Sequence, residues 1–344
     1  MNKKDQKKSP TALDLFSGCG GLTLGLRQAG FSVLGAVELD KKACATYRTN
    51  HVSTLLFEKD IKEVCGVQIM SELGLELGEL DLLAGCPPCQ GFSSLKTKNI
   101  KASVSDTRND LIYDFLRLVF ELNPKLVMLE NVPNLQKDLR FKKFCKNLKG
   151  FGYEFTFSVQ NVADYGVPQR RKRLILLASR IGFVTLAEPD NKRVNVHDVI
   201  GRLVKPGKSG DPIHDMKRNH SEKVLAIMSA IPRNGGSRSS LPDNLVLDCH
   251  KRHLGYRDVY GRMRWDDVAP TITSGCINPS KGRFTHPTQN RVITLREAAL
   301  LQGFPENYRF LPEYGLNANA LMIGNALPPP FIEKHARKLL SMLG

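Results

Sequence analysis

Short apolar segments punctuate the first half of this chain and run into glycine or acidic turns. They are Thr11–Phe16, Ser32–Glu38, Leu80–Gly85 and Lys125–Glu130, and Arg173–Ser179 repeats the form further on. Between them lie stretches with helical spacing: Leu22–Gly30, a run from Lys41, and Leu111–Leu122. Strands alternating with helices at this pitch predict βαβ units, and so an α/β fold around a doubly wound, mainly parallel sheet. The alternation stops near residue 180. From there to about Asn290 the chain is rich in Gly, Pro, Asn, Asp, Arg and His, with no sustained period, which predicts a loop-rich second domain with a few short strands. Regular structure is expected again at Leu295–Gln302, and Phe331–Leu343 reads as a closing helix after three prolines.

Composition narrows the class. Hydrophobic residues make up 41% and charged residues 24%, which is globular usage rather than disorder. Lys and Arg number 50 against 34 Asp and Glu, a formal charge of +16 that points to a polyanionic partner. A membrane is the weaker reading, because apolar runs such as Leu174–Ala178 are far too short to span a bilayer. Asp14 interrupts the only apolar stretch behind the basic N-terminus, so a signal peptide is not expected. Eight scattered cysteines do not make a disulfide scaffold in a chain of 344 residues. The balance predicts a soluble, cytoplasmic, nucleic-acid-facing protein, with residues 1–10 as a solvated tail.

Two segments are candidates to carry chemistry, although the first, taken alone, reads equally well as a structural glycine turn. Asp14-Leu-Phe-Ser-Gly18-Cys-Gly20-Gly21-Leu22 reads as strand, glycine turn and helix start, which lets a cofactor approach the backbone. Glu38 lies 20 residues past Gly18, where an acid at the next strand end can hold ribose hydroxyls. Thr23 stands where a dinucleotide fingerprint wants its third glycine, which disfavours a nicotinamide cofactor. Asp60-Ile61, after a third candidate strand, could hold an adenine amine, although a lone Asp-Ile pair more often has no such role.

The second segment is Gly85-Cys86-Pro87-Pro88-Cys89-Gln90-Gly91-Phe92-Ser93. A structural zinc would want a matching second pair, and the other cysteines offer no further C-x-x-C. A thioredoxin-like dithiol should open a helix, whereas a polar, lysine-bearing loop follows here. The third reading, still open against the other two on this segment alone, is a nucleophilic Cys89 on a strand-to-loop elbow, with Cys86 packing as a small hydrophobe. Glu130-Asn131-Val132 ends the next strand, which in a parallel sheet brings a carboxylate to the same edge. Gln169-Arg-Arg171-Lys-Arg173 opens another.

Taken in order, these pieces resemble the DNA (cytosine-5) methyltransferase family. The matching stretches are DLFSGCGGL at 14–22, Glu38, Asp60-Ile61, GCPPCQGFS at 85–93 and ENV at 130–132. NVADYGVPQRRKR at 161–173, RVITLREAALLQGFP at 291–305 and GNALPPP at 324–330 complete the set. The resemblance covers nearly the whole chain except about residues 181–260, where such enzymes carry a variable target-recognition region.

The resemblance implies a class I S-adenosylmethionine-dependent methyltransferase fold with a smaller target-recognition domain. The catalytic domain is then expected over residues 11–180 and 320–344, and the recognition domain with its return segment over 181–319. It implies methyl transfer to C5 of a cytosine flipped out of a specific double-stranded DNA sequence, because the target atom cannot be reached inside a duplex. Cys89 would add to C6, Glu130 would serve N3, Arg173 the cytosine O2, and Arg171 a closed loop or a phosphate. Phe16, Gly18, Gly20, Gly21, Leu22, Glu38, Asp60, Ile61, Pro88 and Asn325 would hold S-adenosylmethionine, which leaves as S-adenosylhomocysteine.

Gln90, Ser93 and Gln169 are implied DNA contacts, and the polar stretch Ser93–Asn109 resembles a loop that closes on DNA. No metal is implied. Within the recognition region Arg233, Asn234, Arg238, Arg252, Arg257 and Arg262, around a flexible Gly235-Gly236, are candidates for base or phosphate contacts. A monomer is expected, and a separate restriction endonuclease acting on the same site is a compatible partner. A DNA-binding relative without catalysis, or an RNA cytosine-5 methyltransferase on the same fold, are the rival readings.

Overall fold

The computed structural model describes residues 9–88, 107–190, 192–252 and 257–344. Within these, seven strands form one sheet: β1 Thr11–Leu15, β2 Ser32–Glu38, β3 Leu55–Glu58, β4 Leu82–Gly85, β5 Leu126–Asn131, β6 Glu154–Asn161 and β7 Lys172–Ser179. Their order is β3-β2-β1-β4-β5-β7-β6. Pairings among the first five are parallel, as the βαβ alternation predicts. β7 runs antiparallel to β5, so the sheet is mixed at one side.

Helices α1 Gly21–Ala29, α2 Lys41–Asn50, α3 Gly66–Leu73, α4 Leu111–Leu122 and α5 Leu139–Gly150 connect the strands. β5 is buried along its whole length, which is why its sequence LVMLEN shows no alternation. β6, which the analysis above did not anticipate, does alternate: Phe155, Phe157 and Val159 interleave with Thr156, Ser158 and Gln160. That period-two pattern is the signal that would have found it.

The chain divides into two compact units. The first comprises Met1–Gln160 (as far as described), Lys172–Pro189 and Pro329–Gly344; the second comprises Asn161–Arg171 and Asp190–Pro328. The boundaries differ from those expected above. Residues 161–171 and 320–328 cluster with the second unit, and 181–189 with the first. The 161–171 segment is held by main-chain bonds to the second unit's own strand-like pieces, including Arg170 N–H to Ala269 O at 2.8 Å and a bridge between Gln169 and Ala269.

Among its described residues the second unit shows isolated bridges rather than the few short strands expected. Its helices are α6 Val196–Ile200, α7 Pro212–Asp215, α8 Glu222–Ala230, α9 Asp248–Arg252, α10 Leu295–Leu301 and α11 Gly315–Asn325. α10 opens with a reciprocal capping box between Thr294 and Glu297.

The closing helix α12, Pro329–Leu340, belongs to the first unit and packs on α1. The approach is close enough to require glycine. A β-carbon at Gly25 would lie 2.6 Å from Ile332 Cβ and 2.7 Å from Pro329 O. Because one of those neighbours is backbone, the helices must separate to admit a side chain. Gly25→Val is therefore expected to destabilise the protein by about 1–3 kcal/mol despite valine's added apolar surface. Urea denaturation would measure this, and a variant as stable as the parent would show that the helices part at no cost.

Candidate active site

Strand order reverses between β1 and β4, and a doubly wound sheet binds its ligands outside the carboxyl ends of the strands at such a switch. Both loops singled out in the sequence begin there. Leu15 lies opposite Gly85 in the β1–β4 register, and Leu129 lies opposite Gly85 in the β4–β5 register. Gly85 is needed at this crowded point, because a β-carbon would come within 2.8 Å of both Leu15 O and the Phe115 ring.

The turn after β1 is built for close approach. Phe16, Gly18 and Gly20 all have positive φ, at 59°, 55° and 98°. For a bulky residue such as Phe16 that conformation is strained, and such strain clusters at ligand clamps. A β-carbon at Gly18 would meet nothing within 4 Å, so the outer side of the turn is open. Gly18 N–H donates to Glu38 Oε2 at 2.8 Å, while Glu38 Oε1 accepts from Leu39 and Asp40 N–H at 2.9 and 2.8 Å. The acid at the end of β2 is thus aimed at the glycine turn, with lone pairs to spare for a further donor. Gly21 and Leu22 are buried at the start of α1. Asp60 caps the short turn Ile61–Glu63, and Ile61 is buried.

Beneath the turn lies a buried carboxyl. Asp14 Oδ2 accepts the Thr23 hydroxyl at 2.6 Å, and Thr23 Oγ1 is 2.7 Å from the Tyr47 hydroxyl. Thr23 thus has a function of its own where a dinucleotide fold has glycine.

The second cluster surrounds Glu130, which is only 2% exposed at the end of β5. Arg173 Nε lies 2.8 Å from Glu130 Oε1, and the Cys86 thiol donates to Glu130 Oε2 at 2.9 Å. The antiparallel direction of β7 makes the first contact possible. Leu174 pairs with Asn131, so the start of β7 meets the end of β5. Register makes the second, since Cys86 follows Gly85 and Glu130 follows its partner Leu129. Cys86 therefore does not pack as a mere hydrophobe.

Asn131 adds a contact that the sequence reading missed. Its Nδ2 donates to Pro87 O at 2.9 Å, pinning the Cys-Pro-Pro segment to β5. The only hint in the sequence was its place beside Glu130 at a strand end. Pro88 is half-buried at the end of that segment. Cys89, Gln90 and Ser93 lie outside the described residues, as does the stretch from Ser93 up to position 106.

Other expected site residues fall in the second unit. Gln169 is fully buried and its amide is spent there: Nε2 donates to Leu301 O and Gln302 Oε1 at 3.0 and 2.5 Å, and Oε1 accepts from Ile272 N–H at 3.0 Å. The expectation of a DNA contact is corrected to a buried bridge. Arg171 is also buried, donating through Nη1 to Ile272 O and Gly324 O at 2.8 and 3.0 Å, so it braces main chain within this unit. Asn325 is the exposed last residue of α11.

Arg262 is corrected likewise. It is 1% exposed and donates to the carbonyls of Met228, Ile231, His286 and Gln289 and to Asn290 Oδ1. Its fork ties its own segment to two others, 228–231 and 286–290. The turn at Gly235-Gly236 is a tightly held one. Arg283 Nη1 donates to both glycine carbonyls, Asn234 Oδ1 accepts Trp265 N–H at 2.8 Å, and a β-carbon on Gly236 would lie 2.1 Å from Pro232 O. Arg233 and Arg257 are exposed and Arg238 is half-buried; the Arg252 side chain lies outside the described residues.

Burial pushes the Asp14 carboxyl up from 3.8 to about 8. Between those values the folded chain keeps a proton that the unfolded chain gives up, so wild-type stability falls as pH rises through this window. Asp14→Asn removes that dependence. The variant is expected to gain on the wild type by up to about 1.4 kcal/mol per pH unit between pH 5 and 8. Urea unfolding at the two ends measures it, and parallel pH curves would mean that Asp14 is not held protonated.

The family model of C-5 cytosine-specific DNA methylases matches residues 11–341. The Type II methylase M.HgiDII of Herpetosiphon aurantiacus is 39% identical over 330 residues, 92% of this chain and 91% of that protein. The Type II methyltransferase M1.HphI of Haemophilus parahaemolyticus is 33% identical, covering 97% and 87%. Among solved structures, an E. coli prophage protein described as a DNA modification methyltransferase aligns with a TM-score of 0.70 at 26% identity, over 97% of this chain and 99% of that one. The match runs through both units and through every segment that carries the geometry above, and the chain belongs to the C-5 cytosine-specific DNA methylase family.

Proposed function

We propose that this protein transfers a methyl group from S-adenosylmethionine to C5 of a cytosine extruded from a specific double-stranded DNA sequence, through a covalent bond between Cys89 and C6. The observation that carries the reading is the Glu130 carboxylate. It is held from both sides by Arg173 and Cys86, at the strand end beside the segment that leads into Cys89. The strained, open glycine turn at the same sheet edge suits the donor, with Glu38 available to ribose hydroxyls and the Phe16 ring to adenine. Bound there, S-adenosylmethionine supplies an electrophilic methyl.

The residues of the chain do the rest. Carbon 5 of cytosine is a poor nucleophile, and addition of the Cys89 thiolate to C6 turns the ring into an enamine that is electron-rich at C5. N3 needs a proton or a strong hydrogen bond as that bond forms, and Glu130 in its carboxylic acid form is the group to provide it, taking the proton back when the C6–S bond breaks. Arg173 orients the carboxylate through its Nε and is the residue to meet the cytosine O2. Methyl transfer is followed by loss of the C5 proton to a base; the C6–S bond then breaks and the thiolate leaves. Burial of Glu130 keeps water from competing for its hydrogen bonds.

The second unit is the reader of DNA sequence, with exposed Arg233 and Arg257 and half-buried Arg238 as base or phosphate contacts. The Type II names of the relatives support a role as the modification partner of a restriction pair. No helix among the described residues is long and apolar enough to cross a membrane.

Cys89→Ala is expected to abolish methylation while leaving S-adenosylmethionine binding intact. Conversion sequencing of genomic DNA from expressing cells reads the activity and the target site together, and normal methylation by the alanine variant would remove Cys89 from the chemistry. Glu130→Gln should slow the single-turnover step by about 100-fold or more at saturating DNA, with DNA affinity changing far less. An unchanged chemical step would exclude Glu130.

A further inference from the structure

The second unit holds a cleft of about 500 Å³. Met216, Leu225 and Ile277 give it an apolar floor, and Lys205, Lys217 and Arg218 stand on its rim. None of its lining residues is an acid. Lys205, Lys217 and Arg218 are exposed, and no ion pair joins them to a described residue; the fourth lining cation, Arg291, is paired with Glu297 at 2.7 Å.

The nearby carboxylate of Asp215 is engaged elsewhere. It accepts from the N–H groups of Gly207, Ser209 and Gly210 and from the Ser209 hydroxyl, at 2.6, 3.1, 3.3 and 2.7 Å. The loop's inward-facing donors are therefore filled by an internal anion, while Lys205, just before the loop, lines the cleft.

A second, smaller cleft of this unit makes the contrast. Its arginines, Arg170, Arg264 and Arg283, are each matched by an aspartate, at 3.5, 3.1 and 3.0 Å. His220 also lines the larger cleft. His220 Nε2 is buried without a hydrogen-bond partner, and native structures seldom leave such an atom unpaired unless a ligand or water meets it.

We infer that this cleft binds a phosphate group of a nucleic-acid strand, with Lys205, Lys217 and Arg218 on the phosphate oxygens and His220 in the wall beside them. The floor then lies under the adjoining sugar or base, which accounts for a volume larger than a phosphate alone requires. Burial and the Arg218 charge hold the His220 ring below its ordinary value. The choice of DNA as the source of the phosphate rests on the function proposed above; a free nucleotide carries the same chemistry.

The test compares two variants of equal charge. In one, Lys205, Lys217 and Arg218 are changed to Gln; in the other, Arg202, Lys208 and Lys223, which are exposed and do not line the cleft, are changed to Gln. Duplex affinity is titrated against salt on target and unrelated sequences, and protection against unfolding by 5′-AMP is measured for the same proteins. The cleft variant is expected to bind every duplex about ten-fold more weakly than the control, with the salt slope reduced by about one to three.

Loss of AMP protection with duplex binding equal to the control would support the same site with a free nucleotide as its ligand. Equality of the two variants in both assays overturns the proposal. Methylation by the wild type is assayed in parallel. If the wild type methylates no cytosine, the proposed function fails, while the phosphate titrations still decide the cleft.

Discussion

The carboxylate of Glu130 is the group around which the candidate site at the sheet edge is arranged, and its position depends on one strand running against the rest. β7 enters the sheet antiparallel to β5, so its first residues, rather than its last, meet the end of β5. Arg173 thereby reaches Glu130. A parallel strand would have delivered Ser179 to this edge and left a buried carboxylate without its cation, an arrangement that costs several kcal/mol. Register completes the enclosure: the β4–β5 pairing sets Cys86 beside the other oxygen, and Asn131 ties down the Pro87 carbonyl. Each contact comes from a different strand or loop, and the pleated ladder alone aligns them.

The glycine turn depends on a second layer of support. Its main chain is held by Glu38, and under it the Asp14–Thr23–Tyr47 chain of hydrogen bonds fills a dry space between β1, α1 and α2. On the outer side of α1, the contact with α12 through Gly25 draws the end of the polypeptide back onto the first unit. The C-terminal helix is therefore part of the platform that positions the turn, although more than half the chain lies between them.

In the second unit, positive charge serves two separate purposes. Arg171, Arg262 and Arg283 are sunk into the fold, each satisfying several carbonyls where regular ladders are missing. A loop-rich unit leaves many backbone acceptors unpaired, and a guanidinium with five donors serves them economically. Arg296 is buried as well, against Asp211 and the Tyr308 carbonyl, while others such as Arg233 and Arg257 stay at the surface in solvent. A basic composition alone does not separate these two populations.

Much of the architecture was legible in the sequence, since strand length and helical spacing are local properties. β1, β2, β4, β5 and β7 lie within a residue or two of their apolar segments, and the ordered motifs identified the family that the comparisons then showed. β6 was legible too, from a period-two pattern that had been passed over.

What only the tertiary structure decided were relations between distant segments. They include the reversed direction of β7, the thiol of Cys86 on Glu130, the burial of Gln169 and Arg262, and the rigidity of Gly235-Gly236. Hydrophobic periodicity reports which face of an element is dry, but it carries no information on strand direction. An arginine or glutamine reads as polar whether its donors end in water or on the carbonyls of a neighbouring loop. Those choices follow from which backbone groups the packed chain leaves unsatisfied, and that is known only once the segments meet.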